Sequence, residues 1–117
     1  MVNDDEESRC MVRLQRLDEL LAALRAAKPA RMIIRSPAAV TELTCCLGDF
    51  TRKGAWLNYE CDQFHAHVNV GEICEVFLVE KGAQRSIQCF DGNGAVVFKY
   101  FLKDNTGTYD RLKREFA

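Results

Sequence analysis

The feature that most constrains the fold is the close spacing of short apolar or alternating stretches between residues 30 and 102. Turn-forming residues separate these stretches, which is the pattern of successive β-strands. The predicted strands are Met32 to Arg35, Val40 to Cys46, Trp56 to Tyr59, Phe64 to Val70, Ile73 to Val79, Arg85 to Phe90 and Ala95 to Leu102. Parallel neighbours need a crossover of about a dozen residues, usually a helix, and no gap here is long enough for one. The sequence therefore predicts a mainly antiparallel sheet of about seven strands.

Helices are predicted on both sides of this β-region. Between Cys10 and Ala27, leucines recur at three- and four-residue steps with charged residues between them, which predicts an amphipathic helix. A short closing helix is predicted from Thr108, with Thr108 as the cap and Tyr109, Leu112 and Phe116 facing inward. The order of elements indicates the α+β class, with the helices covering the sheet.

The chain length fits one domain. With 117 residues it can bury one core, so residues 1–117 are assigned to a single domain whose acidic tip, residues 1–8, is expected to be disordered. A formal net charge of -1 excludes the basic field of a typical nucleic-acid-binding domain. The longest uncharged run is much shorter than the roughly 20 residues of a membrane span, so no membrane insertion is expected.

Location and redox state follow from the N-terminus and the cysteines. The first residues are acidic where a secretory signal would be basic, so a cytoplasmic protein is expected. Six cysteines without any C-x-x-C spacing are then expected to be reduced thiols, most of them packed as small apolar groups.

Both histidines of the chain lie in one predicted strand. Alternation places His65, His67 and Asn69 on one face and Phe64 and Ala66 on the other. Imidazole is a common ligand of transition metals and haem iron, so the pair is a candidate metal or haem site. From periodicity alone, two exposed histidines on the wet face of a half-buried sheet remain the favoured interpretation.

Two further residue groups are candidate sites. A zinc site would recruit Cys61, His65, His67 and Cys74, but their spacing lacks the paired knuckles of common zinc sites. The segment from Leu47 to Gly54 is predicted to be a loop. Its Arg52-Lys53 pair stands beside an aromatic residue, where it forms either a solvated turn or a contact to a carboxylate or propionate.

Five ordered segments resemble the haem-utilisation proteins of the ChuX/HutX type and one repeat of the HemS type. They are Gly54-Ala55-Trp56-Leu57-Asn58-Tyr59, Phe64-x-x-His67-Val68, Ile73 to Lys81, Ser86 to Asp91 followed by Gly94, and Phe98 to Leu102. The resemblance covers roughly residues 30 to 103 and depends on the order of the segments rather than on any one of them. It implies a large, strongly curved antiparallel sheet with flanking helices, bound haem, and a homodimer.

The resemblance also assigns residues. The histidine of the family's F-x-x-H pattern falls on His67, which implies that His67 is the axial ligand of haem iron. In ChuX-type chains a second histidine precedes the aromatic-x-N strand, where this sequence has Arg52 and Lys53. The expected haem site therefore comprises His67 on iron, His65 as a second contact, Arg52 or Lys53 for a propionate, and the rings of Trp56 and Tyr59.

The sequence thus predicts a haem-binding protein for intracellular carriage or storage. The alternatives are a non-haem homodimeric interaction module of the same fold and a haem-degrading enzyme, for which no residues of oxygen chemistry are identified. A homodimer is also expected from the C-terminal hairpin. There Val96, Phe98 and Tyr100 alternate with Val97, Lys99 and Phe101, so that both faces are apolar and need cover.

Overall fold

The computed structural model describes residues 6–27, 29–47, 49–60, 64–103 and 105–117. Its strands are β1 (Glu7–Val12), β2 (Ala30–Ser36), β3 (Ala39–Cys45), β4 (Thr51–Lys53), β5 (Trp56–Glu60), β6 (His65–Asn69), β7 (Glu75–Lys81), β8 (Gln84–Phe90) and β9 (Val96–Phe101). Its helices are α1 (Leu17–Ala22), between the 3₁₀ turns Leu14–Arg16 and Ala23–Ala26, and α2 (Asn105–Phe116). A third 3₁₀ turn spans Val70–Glu72. The α+β class is confirmed.

The described strands form two sheets rather than one. A six-stranded sheet has the order β1-β7-β8-β9-β2-β3, and a three-stranded sheet has the order β4-β5-β6. Every pairing in both sheets is antiparallel, as predicted. The sequence predicted one sheet of about seven strands. The structure has a second sheet because β4, β5 and β6 pair only among themselves, and it has more strands because two of them lack a strong sequence pattern.

The first of these two strands is β1, in the segment predicted to begin a helix at Cys10. Glu7–Val12 pairs along its whole length with β7, and Val12 is buried. Pairing with an exposed sheet edge outweighs the helical pattern, which starts only at Leu14. β1 begins inside the segment 1–8 for which disorder was expected, and residues 1–5 lie outside the described residues.

The second is β4, in the segment predicted to be a loop. Thr51-Arg52-Lys53 carries no apolar alternation, yet it pairs with β5 through a turn in which Gly54 adopts a φ of 60°. Only glycine takes this left-handed conformation without strain, so the hairpin depends on it. At the C-terminus, α2 begins at Asn105, so Thr108 lies within the helix and is not its cap.

One core joins the two sheets and the helices. The leucines of the N-terminal helical segment and the predicted inward residues of α2 are buried in it, together with alternate residues of both sheets. The helical members are Leu17, Leu20, Leu21, Leu24, Tyr109, Leu112 and Phe116. Leu14, at the start of the N-terminal helical segment, is exposed and lies outside this core. Among the described residues, no helix is long and apolar enough to cross a membrane.

Candidate functional site

The three-stranded sheet has one buried and one exposed face. Along β5 and β6, residues alternate between the core and the surface, because successive side chains of a strand point to opposite sides. The core side consists of Leu57, Tyr59, Ala66 and Val68. We call the opposite side the histidine face; it carries Lys53, Trp56, Asn58, His65, His67 and Asn69. The predicted alternation of His65 and His67 against Ala66 and Val68 is confirmed.

A cleft of about 610 Å³ lies on the histidine face. It is lined by Lys53, Gly54, Trp56, Asn58 and His67. The pairing register explains this grouping, because Lys53 stands opposite Trp56 and Asn58 stands opposite His67. The volume lies in the range of about 300–1,000 Å³ typical of cofactor and small-molecule sites.

His67 is held by its neighbour across the strands. Its Nδ1 atom lies 2.7 Å from Oδ1 of Asn58, a short hydrogen bond between two side chains on the same face. Because Nδ1 is engaged, Nε2 is the ring nitrogen left for a ligand in the cleft.

His65 lies two residues from His67 on the same face, and it is exposed. It stands opposite Glu60 in the register and does not line the cleft. The two histidines therefore share a face but occupy different positions relative to the cleft.

The two basic residues of β4 point in opposite directions. Lys53 lines the cleft, whereas Arg52 lies on the other side of the strand. The Nη1 atom of Arg52 lies 2.5 and 2.7 Å from the carboxylate oxygens of Asp18, and its Nε donates to the carbonyl of Gly54 at 2.6 Å. Arg52 thus ties the helical segment to the sheet, and Lys53 is the cation of the cleft.

The two aromatic residues of β5 are also separated. Trp56 is 47% exposed and lines the cleft, but Tyr59 is 2% exposed and lies in the core, with its ring 6.0 Å from that of Phe50. Burial raises the pKa of Tyr59 well above its ordinary value. Its hydroxyl has no hydrogen-bond partner among the described residues. Tyr59 and Arg52, two residues of the expected haem site, therefore lie off the histidine face, because each is one residue out of phase with it.

The cysteines show no disulfide in the described part of the chain. None of Cys10, Cys45, Cys46, Cys74 and Cys89 is in a disulfide, and Cys61 lies outside the described residues. Within those residues, no group of three or more histidine, cysteine or acidic side chains is placed to hold a metal ion. Of the four residues of the zinc hypothesis, His65 and His67 share a face, whereas Cys74 lies beyond the 3₁₀ turn that follows β6.

The residue that sequence reasoning missed is Asn58. Its position in the aromatic-x-N segment was noted only as part of the resemblance, with no role assigned. Strand parity alone places Asn58 with Trp56, but only the β5–β6 register places it opposite His67. Four residues separate the two strands, including three outside the described residues, so this register could not be counted from the sequence.

Comparison with known families agrees with the α+β architecture. The model of the family "Haem utilisation ChuX/HutX" matches residues 10–115. The chain therefore belongs to the ChuX/HutX haem-utilisation family. No curated protein matches it.

Several solved structures share the fold. The heme-binding protein ChuX superposes with a TM-score of 0.79 at 14% identity, over 92% of this chain and 77% of that one. Holo-PhuS, a heme-binding protein from Pseudomonas aeruginosa, gives 0.78 at 18% identity, over 93% of this chain and 34% of that one. ChuS, a heme oxygenase from E. coli, gives 0.78 at 18% identity, over 98% of this chain and 38% of that one. At these identities the likeness establishes the fold.

Proposed function

We propose that this protein binds haem in the cleft of the histidine face, with His67 as the iron ligand, and serves intracellular haem carriage or storage. The observation that carries the proposal is the position of His67. Its Nδ1 is hydrogen-bonded to Asn58, and it lines a cofactor-sized cleft. Membership of a haem-utilisation family and the haem-binding proteins of the same fold support it.

The cleft offers the three kinds of group that haem requires. An imidazole for iron comes from His67, and the exposed indole of Trp56 provides a flat apolar surface for the porphyrin. Lys53 provides a cation for a propionate. These residues fit the cofactor, and each of them comes from the predicted set.

Carriage or storage is proposed rather than turnover because one sheet face provides the whole described lining of the cleft. A haem bound against one wall keeps its other side accessible for transfer.

The test uses the fact that Trp56 is the single tryptophan of the chain. Haemin bound in this cleft lies beside the indole, so titration should quench the tryptophan fluorescence and shift the Soret band with the same midpoint. His67→Ala should weaken binding by about 100-fold or more, because even the outer partners of metal ligands typically contribute 10- to 100-fold.

His65→Ala is the matched control, because it removes the other histidine of the same strand and face. It should change the affinity by less than about threefold, which is under 1 kcal/mol. Wild-type protein that shows neither quenching nor a Soret shift would contradict haem binding and favour the non-haem interaction module. Equal affinities for wild type and His67→Ala would contradict the ligand assignment alone.

A homodimer is proposed as well, through one side of the predicted hairpin strip and the strands beside it. Phe98 and Tyr100 face the core and are fully buried, whereas Lys99 and Phe101 lie on the other side of β9 and are partly buried. We call this other side of the six-stranded sheet the open sheet face and define it by Met11, Phe77, Phe90 and Phe101, which the register places on one side and which are exposed or partly buried.

One feature of the open sheet face supports a partner there. Met11 is 61% exposed although it pairs directly with Phe77. A second copy that covers this face would bury Met11 and the partly exposed aromatic rings beside it.

Sedimentation at micromolar concentration should give about twice 13.3 kDa. Met11→Glu should shift the protein toward monomer. Leu14→Glu, which changes an exposed leucine outside this face, should leave the dimer intact. A monomeric wild type would contradict the homodimer, and a dimeric Met11→Glu protein would contradict the choice of surface.

A further inference from the structure

We propose that Asn58 is a positioning residue that holds the His67 imidazole in one tautomer, with the proton on Nδ1 and the lone pair on Nε2. The importance of this tautomer for haem rests on the proposed function, whereas the tautomer itself is a property of the protein without haem. Nothing in the sequence pattern assigns this role to Asn58.

The hydrogen bond defines the tautomer. Oδ1 of Asn58 lies 2.7 Å from Nδ1 of His67, and an amide oxygen can only accept a hydrogen bond. Nδ1 must therefore carry the proton and donate it. In the neutral ring Nε2 is then left with the lone pair that binds iron.

The strands make this contact specific. Asn58 and His67 are paired residues of neighbouring antiparallel strands, so their side chains leave the backbone side by side on one face. Asn58 is half-buried, which restricts its rotamers more than those of an exposed side chain. The backbone thus presents the amide oxygen to Nδ1 before any ligand arrives.

His65 provides a comparison within the same strand. It has the same parity as His67 and stands opposite Glu60, but no hydrogen bond or ion pair joins the two in the part of the chain that the structure describes. A free neutral imidazole places its proton mainly on Nε2, which leaves no lone pair there. We infer that the two histidines differ in tautomer, and that only His67 is prepared as an Nε2 ligand.

The consequence for binding follows from the behaviour of metal-bound histidines. A partner on the second ring nitrogen orients the ring and increases its basicity, and removing that partner typically costs 10- to 100-fold in affinity. Asn58 should therefore influence haem affinity without touching the iron.

The first experiment measures the tautomers by long-range ¹H–¹⁵N NMR of histidine-labelled protein without haem, in mildly alkaline buffer. In wild type, His67 should show a protonated Nδ1 and an unprotonated Nε2, whereas His65 should show the opposite preference. Asn58→Leu removes the acceptor at similar size and should shift His67 toward the pattern of His65. Asn58→Asp retains an acceptor oxygen, so His67 in this variant should keep the wild-type tautomer.

The control is Thr51→Val, on the residue that stands on the other side of Asn58 in the same register. It should leave both histidine signals unchanged, and unchanged His65 signals in every variant show that the strand is intact. A wild-type His67 with its proton on Nε2, or an Asn58→Leu protein with the wild-type tautomer, would overturn the proposal.

The second experiment is haemin titration of the same variants. Asn58→Leu should bind about 10- to 100-fold more weakly than wild type, and Asn58→Asp should recover most of the loss. If the tautomer shifts as expected but wild type does not bind haemin, the proposed function fails and the role of Asn58 in holding the tautomer stands. If the tautomer shifts while haemin affinity stays constant, His67 does not bind iron through Nε2, and the positioning role in binding is overturned.

Discussion

The two faces of the three-stranded sheet arise from the same short segments but have opposite surroundings. In β5, Trp56 and Asn58 lie on the surface beside His67, whereas Leu57 and Tyr59 lie in the core. A shift of one residue in the strand decides between a contact with a ligand and a contact with the core. Residue type alone does not separate these roles, because each face carries an aromatic ring.

The tryptophan and the tyrosines of the chain are divided between the surface and the core. Its single tryptophan lies on the histidine face, while its three tyrosines, Tyr59, Tyr100 and Tyr109, are all buried. Tryptophan fluorescence therefore reports on the cleft, and tyrosine ionisation reports on the core. The two signals allow the faces to be tested separately.

The largest expected difference between the faces is in stability. Leu57→Ala removes a fully buried side chain and should lower the free energy of unfolding by about 2–5 kcal/mol, because the cavity adds to the lost burial. Trp56→Phe, at the next residue but on the surface, should change it by less than about 0.5 kcal/mol. Urea unfolding measures both values.

The effects on haemin affinity should have the reverse order. The folded fraction of Leu57→Ala should bind haemin with wild-type affinity, whereas Trp56→Phe should bind it more weakly, because it alters the wall of the cleft. Similar losses of stability in both variants would mean that the two faces are not as distinct as their exposure indicates.

Alkaline pH should act on the core face. Burial raises the pKa of Tyr100 to about 12 and also raises the pKa values of Tyr59 and Tyr109. A raised pKa means that the folded protein holds the proton more tightly than the unfolded chain. The stabilisation is therefore complete below about pH 10 and is lost as the pH rises toward 12, by roughly 3 kcal/mol for Tyr100.

Tyrosinate absorbance should consequently appear together with loss of the folded circular dichroism signal, in one cooperative step above pH 10. Fluorescence of Trp56, recorded over the same pH range, reports on the surface of the same sheet. If the three tyrosines ionise near pH 10 while the protein stays folded, the assignment of all three to the core is wrong.

The sequence predicted most of the architecture because apolar alternation is a local signal. Seven of the nine described strands and the inward residues of α2 follow from it, and the short gaps between the strands predicted their antiparallel pairing. β1 and β4 were missed because they form by pairing with β7 and β5, which no local pattern reports. The division into two sheets was missed for the same reason.

The site was predicted less completely. Alternation predicted that His65 and His67 share a face, and the family resemblance singled out His67, but the residues that face them depend on the register between strands. Of the other residues in the expected site, Lys53 and Trp56 lie beside His67 in the cleft, whereas Arg52 and Tyr59 lie off the histidine face. Asn58 had no assigned role until the register showed what it faces.

A smaller effect should separate the two basic residues of β4. Lys53→Ala should weaken haemin binding about two- to fivefold, because exposed ion pairs contribute about 0.2–1 kcal/mol. Arg52→Ala should leave the affinity unchanged and instead destabilise the fold by about 1 kcal/mol or less, since it breaks the partly exposed pair with Asp18.

Haemin titration and urea unfolding of both variants decide between these roles. The prediction fails if Arg52→Ala loses more affinity than Lys53→Ala. That result would place the propionate contact on the side of the helical segment.

The smallest effect is expected for Tyr59→Phe, which removes one hydroxyl from the core face. That hydroxyl is buried without a hydrogen-bond partner among the described residues, so removing it breaks no bond there and relieves an unpaired polar group. The free energy of unfolding should stay constant or rise by up to about 1 kcal/mol, and haemin affinity should not change. A loss of affinity comparable to that of Lys53→Ala would show that Tyr59 reaches the haem, and the core side of β5 would then belong to the site. Because the ring of Phe replaces that of Tyr at nearly constant volume, packing against Phe50 is retained, and the comparison isolates the hydroxyl.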